Sequence, residues 1–154
     1  MLFRSLLDNA DFSNSVRSEN LKNTFDALLE NHIIPIVNEN DSVSHTEIES
    51  EKKLFSDNDM LSAVVAVFCK ASKLIIFSDI DGLYDGNPKT DPGAKVISRV
   101  EEITEELKNV ASGSGSNRGT GGMITKLEAA ELATSRGIDV LVTNGKNPEM
   151  PTTL

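Results

Sequence analysis

Four polar stretches carry side chains that could hold and transfer a phosphoryl group. Asn38-Glu39-Asn40-Asp41 and Ser56-Asp57-Asn58-Asp59 bunch carboxylates and carboxamides, and Ser78-Asp79 sets a hydroxyl beside a carboxylate. The glycine-rich run Ser112 to Gly122, SGSGSNRGTGG, leads straight into a segment that carries Lys126. Phosphoryl transfer asks little covalent chemistry of a protein; it needs positioning and cationic cover for charge spread over the phosphoryl oxygens. A glycine-rich loop entering a helix offers backbone N–H groups to phosphate oxygens, and Lys126 adds a mobile full charge. The spacing is not that of the P-loop, whose lysine follows a glycine directly. Plainer explanations exist for each stretch. A turn accounts for one or two polar residues after a strand, the helix dipole for one carboxylate at a helix start, and a flexible linker for the glycines. They do not account for four polar residues in a row, for Asn58 and Asp59 following Asp57 at once, or for a compact helix directly after the glycines.

The elements that must position these groups follow from the apolar pattern. Leu74 to Phe77 is a short continuous apolar run, the mark of a strand buried on both faces, and Ser78 and Asp79 stand at its carboxyl end, where open α/β sheets bind ligands. Asp81-Gly82 turns the chain. Leu83 and Tyr84 offer a small apolar surface, and Asn87-Pro88 and Asp91-Pro92 punctuate an extended lip. Upstream, Leu21, Phe25, Leu28 and Leu29 recur at helical spacing within Val16 to Asn31. Ile33 to Val37 is a short buried strand whose Pro35 points to an edge or irregular pairing. Ser42 to Phe55 has no period and reads as a long loop of the kind that forms lids. Ser56 or Asp57 caps the next helix, which has Leu61, Val64, Val65 and Phe68 as its stripe and Ser62, Ala63 and Ala66 for close packing. Val96-Ile97 is a candidate minor strand and Glu101 to Val110 a short charged helix. Met123 to Arg136 is a helix with Met123, Leu127 and Ala130 inward, stopped by Gly137. Ile138 to Thr143 is the last strand, and Asn144-Gly145 turns out of it. The order predicts an α/β fold, a three-layer sandwich with a mainly parallel sheet covered by helices, with no internal repeat and no second domain.

Composition bounds the rest. A chain of 154 residues is long enough for a real core. A net charge of -9 argues against non-specific nucleic-acid or anionic-membrane binding, so an anionic substrate needs a locally positive pocket. The single cysteine, Cys69, cannot form an internal disulfide, fits a reducing cytoplasm, and lies on an apolar helix face as buried filler. His32 and His45 have no partner at metal-ligand spacing and read as surface residues. No apolar run approaches the ~20 residues that span a bilayer, and MLFRSLL is too short for a signal peptide. A soluble, cytoplasmic protein is expected.

The stretch SDIDGLYDGNP resembles the nucleotide-binding segment of the amino-acid kinase superfamily, S/T-D-x-x-G-L/V-Y-x-x-x-P. With IPIVNENDSV, SDNDMLSA and GTGGMITKLEAAELA in this order and spacing, the resemblance narrows to the glutamate 5-kinase branch and covers about Leu6 to Gly145. It implies ATP-dependent phosphorylation of the γ-carboxylate of L-glutamate, the first step of proline synthesis. Carried over by position, Asp41 and Asn58 hold glutamate and Asp59 orients the catalytic lysines. Ser78, Asp79, Thr120, Gly121, Gly122, Met123, Ile124, Thr125 and Lys126 bind ATP, Lys126 stabilises the moving phosphoryl, and Mg²⁺ bridges the β- and γ-phosphates. Proline as feedback inhibitor and a homo-oligomer when complete are further expectations of the family.

The sequence departs from the family pattern in lacking the N-terminal strand with its Lys/Gly phosphate loop and the glycine-serine segment that helps bind glutamate. It also carries no C-terminal PUA domain, so residues 1–154 are expected to form a partial amino-acid kinase domain. Two other readings stay open. One is a non-catalytic module that binds nucleotide or glutamate or assembles with another chain. The other is a related kinase with UMP or acetylglutamate as acceptor, against which Asp41 and Asn58 argue.

Overall fold

The computed structural model describes residues 1–40, 57–79, 81–86, 91–112, 122–146 and 152–154. The chain divides into two compact units, Met1–Leu61 and Ser62–Leu154.

The first unit is built on a parallel pair. β1 (Leu2–Leu7) lies against β2 (Ile34–Glu39) in a register that runs from Leu2 opposite Ile34 to Leu7 opposite Glu39. Parallel strands need a crossover, here supplied by α1 (Asn9–Ser13) and α2 (Ser15–Glu30). Asp8 caps α1 in a reciprocal box with Asp11, and the Asn14 carboxamide accepts from the Val16 and Arg17 N–H groups to open α2. Arg17 then reaches back to both carboxylates, 3.1 Å from Asp8 and 2.6 Å from Asp11, which ties the two helices together. These contacts, the Asp11 hydrogen bond first, raise the Arg17 pKa against an opposing effect of desolvation. Phe25, Leu28 and Leu7 form the core of this unit. Leu29 departs from its expected inward place and is 52% exposed, because the buried line runs through Phe25 and Leu28 and leaves the next residue around the helix outside it. β2 is not the buried strand expected, since Ile34 is 62% and Ile36 41% exposed on one face of the pair, and Pro35 is tolerated because each strand of a two-stranded sheet is an edge.

The second unit is built on another parallel pair. β3 (Lys73–Ser78) pairs with β4 (Asp139–Asn144), Lys73 opposite Asp139 through Ser78 opposite Asn144, and a short β5 (Thr152–Thr153) runs antiparallel to β4. α3 (Asn58–Phe68) begins in the first unit and continues into this one; α4 (Glu105–Ser112) and α5 (Met123–Thr134) complete it. The core joins Ala63 and Ala66 of α3, Ala129, Ala130 and Ala133 of α5, and Leu74, Ile76, Ile138, Val140 and Val142. Alanine on the helix side lets the backbones approach the branched sheet residues closely. Lys108 of α4 sits 3.0 Å from both Glu105 and Glu131, bracing α4 on α5; those hydrogen bonds, Glu105 first, raise its pKa.

Parallel strands flanked by helices agree with the α/β expectation, but several particulars do not. β3 is not buried on both faces. Leu74 and Ile76 are buried, while Ile75 is 51% and Phe77 64% exposed, since the helical core packs on one side only among the described residues. Leu83 is no surface residue: it is 1% exposed, and its carbonyl accepts from the Ile97 N–H at 2.7 Å. Cys69 is exposed rather than buried filler, because α3 ends at Phe68 and the chain turns there. Val96 forms an isolated antiparallel bridge with Tyr84 instead of a strand. The charged helix starts four residues later than Glu101, at Glu105, where the Thr104 hydroxyl accepts from the Leu107 N–H. The strands β1 and β5 and the helix α1 were not anticipated. The Ser42 to Phe55 loop, His45, Ser56 and Asn87-Pro88 lie outside the described residues. No helix among the described residues is long and apolar enough to cross a membrane.

Three helices end alike. A residue in the left-handed region is followed by an N–H that donates five residues back: His32 (φ 56°) with Ile33 to Leu28 O, Lys70 (φ 52°) with Ala71 to Ala66 O, and Gly137 (φ 75°) with Ile138 to Ala133 O. Two of the three carry a Cβ where glycine is preferred. Left-handed strain of about 1–2 kcal/mol exceeds the about 0.4–1 kcal/mol of unfolded-chain entropy that glycine adds. His32→Gly and Lys70→Gly are therefore each expected to raise stability by about 0.5–1 kcal/mol. A urea midpoint that falls in either variant would contradict this.

Candidate active site

In the second unit the parallel register brings the carboxyl ends of β3 and β4 side by side. Ser78 lies opposite Asn144, and the Gly145 N–H donates to the Ser78 carbonyl at 2.9 Å. Asp79 follows at once, exposed at the strand's end, with the Ser78 hydroxyl donating to its Oδ1 at 3.3 Å. The lip beyond is pinned at its base: the Asp85 N–H donates to the Lys95 carbonyl at 3.0 Å and the Lys95 N–H to the Asp85 carboxylate at 2.7 Å. The Tyr84 hydroxyl lies 3.2 Å from Asp81 Oδ2, and Asn144 Nδ2 donates to Asp81 Oδ1 at 2.8 Å. Partial desolvation first, then the Asp81 charge and hydrogen bond, push the Tyr84 phenol above its ordinary pKa.

The amino end of α5 belongs to this same edge. α5 packs on β4 and is joined to it by the short turn after Thr134, so the two run in opposite directions. Twelve helical residues span about 18 Å and six strand residues about 20 Å, which returns the start of α5 to the level of the carboxyl end of β4. Gly122 is its N-cap, with no side-chain hydrogen bond to the first turn, and a Cβ placed there would meet nothing within 4 Å. Because glycine has no side chain, the first N–H groups of α5 take no hydrogen bond from an N-cap side chain. Thr125 turns its hydroxyl back to the Gly122 carbonyl at 2.8 Å, and Lys126 is half-buried in the first turn. Of the sequence-predicted residues, Ser78 and Asp79 thus end β3, and Gly122, Met123, Ile124, Thr125 and Lys126 open α5 at the level of the carboxyl end of β4.

Asn58 and Asp59 open α3 in the first unit, behind Asp57, which is the cap: its Oδ1 accepts from the Met60 N–H at 2.9 Å and its carbonyl from the Leu61 N–H at 3.0 Å. Asn38, Glu39 and Asn40 stand at the carboxyl end of β2, where the Asn40 N–H donates to the Leu7 carbonyl at 2.8 Å. Asp41, Thr120 and Gly121 lie outside the described residues. Sequence reasoning missed the part played by Asp81, Tyr84 and Asn144. Asp81 and Asn144 were read as turn residues, and nothing in local spacing links positions 63 residues apart.

A cavity of about 660 Å³ opens elsewhere, in the first unit, lined by Phe3, Asn20, Thr24, Leu28 and Ile33 among others. It holds no ionisable side chain, and the Thr24 hydroxyl there is already spent on the Asn20 carbonyl, so the strand ends remain the place where chemistry can occur. Among the described residues no three His, Cys, Asp or Glu side chains converge to hold a metal ion.

Thr143, on β4 beside Asn144, is 3% exposed, and its hydroxyl has no hydrogen-bond partner among the described residues. A buried unsatisfied hydroxyl costs about 1–3 kcal/mol. Thr143→Val is expected to raise stability by about 1 kcal/mol, read as an upward shift of the thermal midpoint; an unchanged or lower midpoint would contradict this.

The comparisons with known proteins come to the same architecture. A model of the amino acid kinase family matches residues 3–144. Glutamate 5-kinase of Clostridium perfringens is 53% identical over 150 residues, covering 97% of this chain and 54% of that protein. Glutamate 5-kinase of Clostridium acetobutylicum is 51% identical over 144 residues, covering 94% and 52%. The chain therefore spans about half the length of these curated relatives. Among solved structures, carbamate kinase from Giardia lamblia bound to AMP-PNP superposes with a TM-score of 0.58 at 16% identity, over 86% of this chain and 43% of that one.

Proposed function

Because the chain belongs to the amino acid kinase family, we propose that it carries the nucleotide-binding part of a glutamate 5-kinase. The observation that carries the phosphoryl-transfer reading is the amino end of α5, open at Gly122, on the same sheet edge as Ser78 and Asp79. Backbone N–H groups and the positive end of the helix dipole suit phosphate oxygens there. The choice of acceptor rests on the close similarity to glutamate 5-kinases over nearly the whole chain.

In this reading a γ-carboxylate oxygen of L-glutamate attacks the γ-phosphorus of ATP. The bond to the β–γ bridging oxygen breaks, ADP leaves with the electron pair, and γ-glutamyl phosphate forms. Ser78, Asp79 and the run from Thr120 to Lys126 hold ATP. Lys126 covers charge on the moving phosphoryl, Asp41 and Asn58 hold glutamate, and Asp59 orients the lysines. Mg²⁺ would accompany the nucleotide and neutralise charge on its phosphates; among the described residues no three His, Cys, Asp or Glu side chains gather to hold it. A cytoplasmic enzyme of proline synthesis, assembled as a homo-oligomer and restrained by proline, completes the proposal.

Trapping the acyl phosphate with hydroxylamine tests it: hydroxamate should form only with glutamate and ATP together, and ATP consumption with no hydroxamate would reject the acceptor. Within a full-length glutamate 5-kinase that carries this segment, Lys126→Ala should lower kcat by roughly 10²–10³ with a much smaller rise in KM for ATP. A near-wild-type kcat would make Lys126 an ordinary helix residue. Calorimetric titration separates the two subsites, because Asp79→Ala should weaken ATP more than glutamate and Asn58→Ala the reverse. Equal losses of both ligands in each variant would reject the division.

A further inference from the structure

Two ties join the carboxyl end of β4 to the chain leaving β3, and they bracket Asp79. One is the backbone bond from Gly145 N–H to the Ser78 carbonyl, 2.9 Å, just before it; the other is the side-chain bond from Asn144 Nδ2 to Asp81 Oδ1, 2.8 Å, just after it. The last residue of β4 and the one after it thus hold Ser78 and Asp81, on either side of Asp79. The Asn144 carboxamide is also fixed in orientation, since its Oδ1 accepts from the Lys146 N–H at 2.8 Å while its Nδ2 must face a carboxylate. A flipped amide would set oxygen against oxygen and N–H against N–H. On the far side Asp81 Oδ2 holds the Tyr84 hydroxyl, and Tyr84 bridges to Val96, so the carboxylate links the strand end to the base of the lip.

We infer that Asn144 and Asp81 are positioning residues, a clasp that fixes Asp79 and the lip for an adenine nucleotide before it arrives. The inference rests on the reading of Ser78 and Asp79 as nucleotide ligands. A donor held in place beforehand costs the bound state less ordering than one that must be collected on binding. Neither residue needs to touch the nucleotide.

The pair can be exchanged without changing the total charge, and this gives the test. Asn144→Ala removes the tie; Asn144→Asp sets two carboxylates against each other; in D81N/N144D the carboxamide at 81 donates to the carboxylate at 144, which can still accept from the Lys146 N–H. Calorimetric titration with ATP and Mg²⁺ should show affinity about five- to tenfold weaker for N144A. N144D should lose at least as much, and D81N/N144D should return to within about twofold of wild type. Exchange of the Asp85 and Ile97 amides without nucleotide reads the clasp independently, and should quicken about tenfold in N144A and recover in the exchanged pair. Unchanged affinity in N144A, a double variant no better than N144D, or unchanged exchange at both amides would each overturn the inference. A wild-type chain that takes up no ATP would instead sink the nucleotide reading, with the amide exchange still deciding the clasp.

Discussion

Everything at the candidate site depends on the parallel register between β3 and β4. Because both strands run the same way, their carboxyl ends finish together, and Ser78 meets Asn144 across the ladder. The long connection that parallel pairing requires is where the lip, α4 and α5 are placed. It returns through α5, whose amino end faces the same edge as the strand ends. An antiparallel pairing of the same two strands would put Asp79 and Asn144 at opposite ends of the sheet and leave Asp81 with no partner. The branched residues that hold the register, Ile76, Val140 and Val142, are buried against the alanines of α3 and α5. A one-residue slip would move each strand's side chains to the other face.

Much of this was legible in the sequence because it rests on local pattern. The run Leu74 to Phe77 with polar residues directly after it marked β3 and its carboxyl end. The helical spacing after Gly122, with Gly137 beyond, marked α5 to within two residues. Asp57 announced itself as a cap by standing just before an apolar stripe. What failed depended on distant partners. A continuous apolar run is compatible with burial on one face or on both, and only the placement of helices far along the chain left Ile75 and Phe77 exposed. β1 hid in a run broken by Arg4 and Ser5, and became a strand by pairing with β2 across a crossover of two helices. Leu83 looked like a surface residue because it sits among turn residues, yet the chain folds it into the interior.

The clasp between Asn144 and Asp81 shows the same limit at a single pair. An Asn-Gly at a strand's end signals a turn, and Asn144 does bond the Lys146 N–H as such residues do. Its second role, toward a carboxylate 63 residues earlier, exists only once the strands are in register. The chain spans about half the length of the curated relatives it matches. The similarity in sequence extends over nearly the whole chain.

The central claim is that the ends of β3 and β4 and the start of α5 form one nucleotide site. Amide shifts in the nitrogen–proton spectrum during titration with a non-hydrolysable ATP analogue and Mg²⁺ test it most directly. The account predicts that Ser78 and Asp79, Met123 to Lys126, and Asn144 and Gly145 move together along a single binding curve. Shifts confined to the first unit, or to β3 with α5 unmoved, would contradict it.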